Sequence, residues 1–128
     1  MRIEVSNILD SESGKVEFHS PAGTARGFWK GPQPALLGNF DVEIEVPEVI
    51  HSWDSTGVPG GRLDTIESAE GEIIHVSGTV EHADEDPVIS LRIHSDIVLV
   101  ELDAAERPAE GSVLAFTASA IDLYPYLL

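Results

Sequence analysis

Apolar and polar residues alternate with a period of two along most of this chain, whereas no stretch of similar length shows the periodicity of a helix. The clearest case is residues 40–46, in which four apolar residues fall on one face of a strand and three carboxylates fall on the other. The carboxylates are Asp41, Glu43 and Glu45. The pattern predicts an all-β fold, a small barrel or two-sheet sandwich of about 7–9 antiparallel strands.

The remaining strands are predicted between clusters of Gly, Pro, Asp and Ser, the residues that favour turns. They cover residues 2–6, 15–19, 24–30, 72–81, 88–93, 97–102 and 112–121. Residues 97–102 are apolar except for Glu101, which is typical of a strand buried on both faces. Residues 62–69 fit either a short helical turn or a poor strand.

The chain length fits a single domain, residues 1–128, made of two half-units. Both half-units, residues 1–50 and 72–128, show the same order of strands and turns. Residues 3–6 align with 74–77 and Gly38 with Gly111, at offsets of about 71 to 73 residues. A duplication explains this order, but so does the alternation of strands and turns that is common to all chains built from hairpins. The connection, residues 51–71, lacks periodicity, and connections of this length are usually either functional or linkers.

The second half, residues 71–126, resembles an OB-type barrel. An early strand contains Gly78, a glycine placed where a barrel strand bends, and an apolar strand and a closing strand follow. This resemblance implies a closed barrel. It does not extend to nucleic-acid binding, because the basic groove and stacking aromatics by which OB folds hold single strands are missing.

Charge restricts the possible partners. Seven basic residues against 23 acidic ones give a formal net charge of −16. Nucleic acids and anionic membranes are therefore excluded as expected partners, since both require clustered Lys and Arg. The acidity has two explanations: it keeps the protein soluble, or it complements a basic protein partner and speeds their encounter.

Catalysis and cofactor binding are not expected. The chain has no cysteine, no signal-peptide pattern and no apolar segment long enough for a membrane helix, which indicates a cytoplasmic protein. Its histidines lack the spacing of zinc ligands, and nucleophile elbows and phosphate-binding glycine loops are absent. We therefore expect no catalytic residue, no metal and no cofactor.

Eight residues are the candidates for partner binding. They form an acidic strand face, an aromatic loop position and an acidic turn: Asp41, Glu43 and Glu45; Trp53 and Asp54; Asp84, Glu85 and Asp86. Trp is enriched at interface hot spots, although Trp53 could instead plug one end of the barrel. The predicted function is a non-catalytic inhibitor or immunity-type protein that binds a basic partner such as a toxin or nuclease. The alternatives are an assembly module of a larger complex, or a barrel that binds small molecules or carbohydrates on Trp29 and Trp53. The sequence leaves the oligomeric state open.

Overall fold

The computed structural model describes residues 1–55, 62–83, 87–103 and 107–126. Within these ranges, ten strands join into one sheet, which confirms the predicted all-β fold. The strands are β1 (Arg2–Asp10), β2 (Lys15–Ser20), β3 (Gly23–Trp29), β4 (Gly38–Ile50), β5 (Thr65–Ser68), β6 (Ile74–His82), β7 (Val88–Ile93), β8 (Asp96–Leu102), β9 (Val113–Ala118) and β10 (Asp122–Pro125). A 3-10 turn, Glu70–Glu72, precedes β6. No helix in the described ranges is long and apolar enough to cross a lipid bilayer.

Five strands close a barrel in the order β1-β2-β3-β10-β4 and back to β1. Neighbouring strands in this ring are antiparallel except β3 and β10, which run parallel. A closed ring of five strands cannot be antiparallel throughout, and β10, which inserts between β3 and β4, forms the one parallel pair of this ring. Closure leaves no exposed strand edge in this ring.

The strands of the second half follow a similar order, but their ring is closed by a single bridge only. Strands β6, β7 and β8 pair in order, and the C-terminal part of β4 pairs in parallel with β8. Strand β9 pairs with β6 on one side, and on its other side Ala115 forms a single bridge with Asp54. The short β5 adds to β6 and also meets the turn before β3, where Ile66 N–H donates to the Ala22 carbonyl at 3.0 Å. The ambiguous residues 62–69 thus contain a strand.

The two halves exchange the strand that closes each ring. β10 follows β9 in the chain but closes the first ring, and the end of β4 follows the first half but lies beside β8. Two backbone hydrogen bonds of the first half recur in the second, at positions 73 residues apart. Trp29 N to Gly14 O is matched by Leu102 N to Pro87 O, and Lys30 N to Leu123 O is matched by Asp103 N to Ile50 O. The pairing pattern of one half therefore repeats in the other.

The pairing shifts the expected alignment of the first strand of each half. Val5 faces Phe18 across β1 and β2, and Val80 faces Leu91 across β6 and β7. Val5 therefore corresponds to Val80. The expected alignment of residues 3–6 with residues 74–77 instead matches Val5 with Val76. That matching relied on a short apolar alternation, which recurs at every second residue of a strand and does not fix its register.

Strand β8 differs from its prediction. Its residues alternate between core and solvent, with Val98 and Val100 buried while Ile97 and Leu99 are 43% and 42% exposed. The prediction that both faces are buried is wrong, because β4 and β7 flank β8 within the sheet and only its inner face packs on the core. An apolar outer face therefore remains in contact with solvent.

Candidate binding surfaces

The three predicted carboxylates of β4 lie on the outer face of the sheet. Asp41, Glu43 and Glu45 are exposed and alternate with buried apolar residues, as the period-two pattern predicts. Asp41 forms an ion pair with Arg2, with 3.2 Å between Nη1 and Oδ2. Glu43 and Glu45 have no ion-pair partner among the described residues. These two carboxylates therefore remain available to an external cation.

Exposed apolar side chains surround Glu43 and Glu45. Glu43 faces Tyr124 of β10, and Glu45 faces Leu99 of β8. We call this surface the acidic–apolar face, and it comprises Glu43, Glu45, Val49, Ile97, Leu99, Glu101, Tyr124 and Tyr126. Ten large apolar residues are exposed in the described part of the chain, and five belong to this face. A groove of about 250 Å³ runs between β4 and β8 and is lined by Glu43, Ile97, Leu99 and Tyr126. Such a concentration of exposed apolar residues is typical of an interaction site.

One carboxyl at the edge of this face is withdrawn from solvent. Asp122 of β10 pairs with Glu45 and is only 8% exposed. Burial raises the pKa of Asp122 above its usual range, and the nearby Lys30 opposes this effect in part. Partial desolvation by its neighbours, together with the charges of Glu45 and Asp122, also raises the pKa of the Tyr124 hydroxyl. Both shifts show that this end of the face disfavours additional negative charge.

Asp122→Asn is expected to stabilise the protein at neutral pH. The folded-state pKa of Asp122 is above its unfolded value, so the neutral carboxyl contributes stability at low pH, and this contribution is lost as the pH rises through the folded pKa. The asparagine avoids that loss. Melting temperatures should be measured from acidic to neutral pH. The variant should melt at a higher temperature than wild type at neutral pH, and the two melting temperatures should converge in acid. A variant with equal or lower stability at neutral pH would contradict this explanation.

Trp53 and Asp54 lie at a different site. After β4 ends, Asp54 bridges to Ala115 through two backbone hydrogen bonds of 2.8 and 2.9 Å. Trp53 is half-buried, packs against the core and lines a cleft of about 640 Å³. We call this the Trp53 cleft, and it includes Trp53, Asp54, Arg62, Glu67, His75, Ser77 and Thr117. The described residues that line it include none from the groove of the acidic–apolar face.

The structure thus divides the predicted binding residues between two sites. Asp41, Glu43 and Glu45 share one face, whereas Trp53 and Asp54 line the separate cleft. Asp84, Glu85 and Asp86 lie outside the described residues.

Trp29 does not join Trp53 among the described residues that line the cleft. Its indole N–H donates to the Gln33 carbonyl at 3.0 Å, and its ring packs edge-on against Phe40. A stacking platform made of Trp29 and Trp53 is therefore not assembled in this cleft.

Sequence reasoning did not assign Ile97, Leu99, Tyr124 or Tyr126 to the site. The apolar residues at positions 97 and 99 were a usable signal, because a strand with one solvent-facing side normally carries polar residues there. The described residues contain no group of three or more His, Asp or Glu side chains able to hold a metal ion.

Comparisons with known proteins give no assignment: no family model, no curated protein and no solved structure matches this chain. The functional proposal therefore depends on the geometry and charge of its surfaces.

Proposed function

We propose that this protein is a non-catalytic binding protein whose acidic–apolar face engages a basic protein partner. One observation carries the proposal. Half of the exposed large apolar residues in the described part of the chain lie on this face, beside Glu43, Glu45 and Glu101, which have no ion-pair partner there. Apolar and aromatic area supplies binding energy, and carboxylates select the sign of the partner's charge.

Lysine and arginine side chains fit both properties of this surface. Their aliphatic stems can cover Leu99 and Ile97 while their charged groups reach Glu43 and Glu45. Tyr124, directly across from Glu43, offers an aromatic ring for an arginine. Nucleic acid suits the face poorly, because its phosphates would meet these same carboxylates.

The finer proposal is an inhibitor or immunity-type role against a basic enzyme such as a nuclease. The phosphate-binding site of a nuclease is basic, and carboxylates presented on a rigid barrel can occupy it without being turned over. The alternative, an assembly module, would place the same face against a second protein of a stable complex. Size-exclusion chromatography of the purified protein separates these roles, since an inhibitor is expected to elute as a free protein and an assembly module as an oligomer.

The proposal predicts that removing two charges from the face weakens binding of a basic probe. The probe is a fluorescent arginine-rich peptide, and the measurement is its anisotropy during titration with protein. Glu43→Gln together with Glu45→Gln should weaken binding about five- to tenfold, because each exposed ion pair contributes up to about 1 kcal/mol. Added salt should reduce this difference.

The matched control is Glu12→Gln together with Glu70→Gln. This variant removes the same net charge from exposed positions outside the face. It should weaken binding less than twofold, an effect of about 0.4 kcal/mol at most. Equal losses in both variants would mean that the peptide responds only to overall charge, and the proposal would then be wrong.

The apolar part of the face requires a second variant. Leu99→Ser keeps every charge but removes an exposed apolar side chain between β4 and β7. Weaker peptide binding by Leu99→Ser is expected if the face acts as a unit. Unchanged binding would reduce the proposal to non-specific attraction by carboxylates.

A further inference from the structure

The Trp53 cleft is larger than the groove of the acidic–apolar face and is not used by the proposed function. Its volume, about 640 Å³, is within the range of about 300–1,000 Å³ typical of small-molecule sites. One side is formed by the strands β5, β6 and β9, and another by the segment that contains Trp53 and Asp54.

Strand register aligns polar side chains along the floor of the cleft. Glu67 of β5 faces His75 of β6, and His75 faces Thr117 of β9. These residues point away from the core, whereas Ile66, Val76 and Phe116 on the same strands contribute to it. A row of three different hydrogen-bonding groups therefore crosses the floor, about 4.8 Å from strand to strand.

Hydrogen bonds to the backbone fix the neighbouring row of the floor, which contains Thr65 and Ser77. Thr65 faces Ser77, and the Ser77 hydroxyl accepts a hydrogen bond from the Thr65 N–H and donates to the Arg62 carbonyl, both at 3.2 Å. Arg62 also donates to Glu67 at 3.0 Å. These contacts fix the position of β5 and orient the Glu67 carboxylate at the edge of the cleft.

The charge of the cleft restricts its ligand. The single described arginine, Arg62, is paired with Glu67, and Asp54 adds a second carboxylate. An anionic ligand such as a phosphate would find no unpaired cation among the described lining residues. A purely apolar ligand would bury the polar groups of His75 and Thr117 without partners, which is costly.

A neutral ligand with one apolar side and several hydroxyl groups meets both restrictions. A sugar ring has this character: its C–H side can lie against an aromatic ring such as Trp53, and its hydroxyl groups can bond with Glu67, His75 and Thr117. We propose that the Trp53 cleft binds a neutral monosaccharide or disaccharide, independently of the acidic–apolar face.

Tryptophan fluorescence can test this proposal directly. The Trp29→Phe variant leaves Trp53 as the sole tryptophan, so its emission reports on the cleft alone. The full-length variant is titrated with glucose, galactose, N-acetylglucosamine, maltose and cellobiose, and in separate arms with adenosine and inorganic phosphate. A saturable change with at least one sugar, and none with adenosine or phosphate, is the expected result.

Two substitutions in this background then locate the sugar. Thr117→Val preserves side-chain shape but removes the hydroxyl, and it should weaken sugar binding about three- to tenfold. Thr79→Val, on β6 outside the cleft lining, is the matched control and should leave the affinity unchanged. Three results would overturn the proposal: no saturable response to any of the five sugars, a response only to adenosine or phosphate, or equal affinities in the Thr117 and Thr79 variants.

Discussion

Leu123→Ala should destabilise the entire protein by about 3 kcal/mol, the usual cost of truncating a fully buried leucine. Leu123 is inaccessible to solvent and lies on β10, which closes the first ring between β3 and β4. For a chain of this size, the melting temperature should fall by roughly 10 °C. Circular dichroism during heating should show one transition, because each half contains a strand supplied by the other.

Two further variants serve as comparisons for Leu123→Ala. Tyr124→Ala changes the adjacent residue on the exposed side of β10 and should cost less than about 1 kcal/mol. Ile50→Ala removes a buried side chain at the corresponding position of β4 and should lower the same single transition. If Leu123→Ala and Ile50→Ala produced two separate transitions, with only one shifted in each variant, the halves would be independent and the exchanged strands would not couple them.

Gly78→Val should strongly destabilise the protein. A Cβ atom at position 78 would lie 2.6 Å from the Arg92 carbonyl oxygen and 2.9 Å from Ile93 Cγ1, both on β7. The backbone oxygen cannot rotate away, so β6 and β7 must separate. Overpacking costs about 1–3 kcal/mol, and the upper end of this range is expected here because a backbone atom blocks the added side chain. Urea unfolding should show a lower midpoint than wild type.

Thr79→Val is the control for Gly78→Val, because it changes the next residue of β6 on the outer side of the strand. It should change the free energy of unfolding by less than about 0.5 kcal/mol. A Gly78→Val protein as stable as wild type would show that β6 does not approach β7 as closely at position 78 as described.

The sequence predicts most strands well because the signal is local. In β4, the alternation from Phe40 to Val46 matches the observed burial: the three carboxylates are exposed, Val42, Ile44 and Val46 are buried, and Phe40 is half-buried. Strand β7 is predicted with its observed ends. Both strands carry enough alternating residues to specify which side faces the core.

Strand exchange is not predictable from such local patterns. β10 contains four residues, one of them Pro125, and its paired residues are 94 positions away on β3 and 77 to 83 positions away on β4. The two halves have similar alternation, which does not specify which strand closes which half. Tertiary packing decides this choice, and it determines both parallel strand pairs.

The binding surfaces, like the strands, are predicted from sequence only where the signal is local. Period-two alternation correctly placed Asp41, Glu43 and Glu45 on one outer face. The neighbouring Ile97 and Leu99 are not predicted on this face, because the apolar run 97–102 is typical of a strand buried on both faces. Only the sheet order shows that nothing in the described part of the chain covers β8 from outside.

Mapping the basic peptide onto the protein by NMR tests the central proposal most directly. Backbone amide shifts of isotopically labelled protein would be recorded during titration with the arginine-rich peptide. The proposal predicts saturable changes concentrated at Glu43, Glu45, Leu99 and Tyr124, with Glu12 and Glu70 little affected. Changes spread evenly over all acidic positions, or concentrated away from β4, β8 and β10, would contradict it.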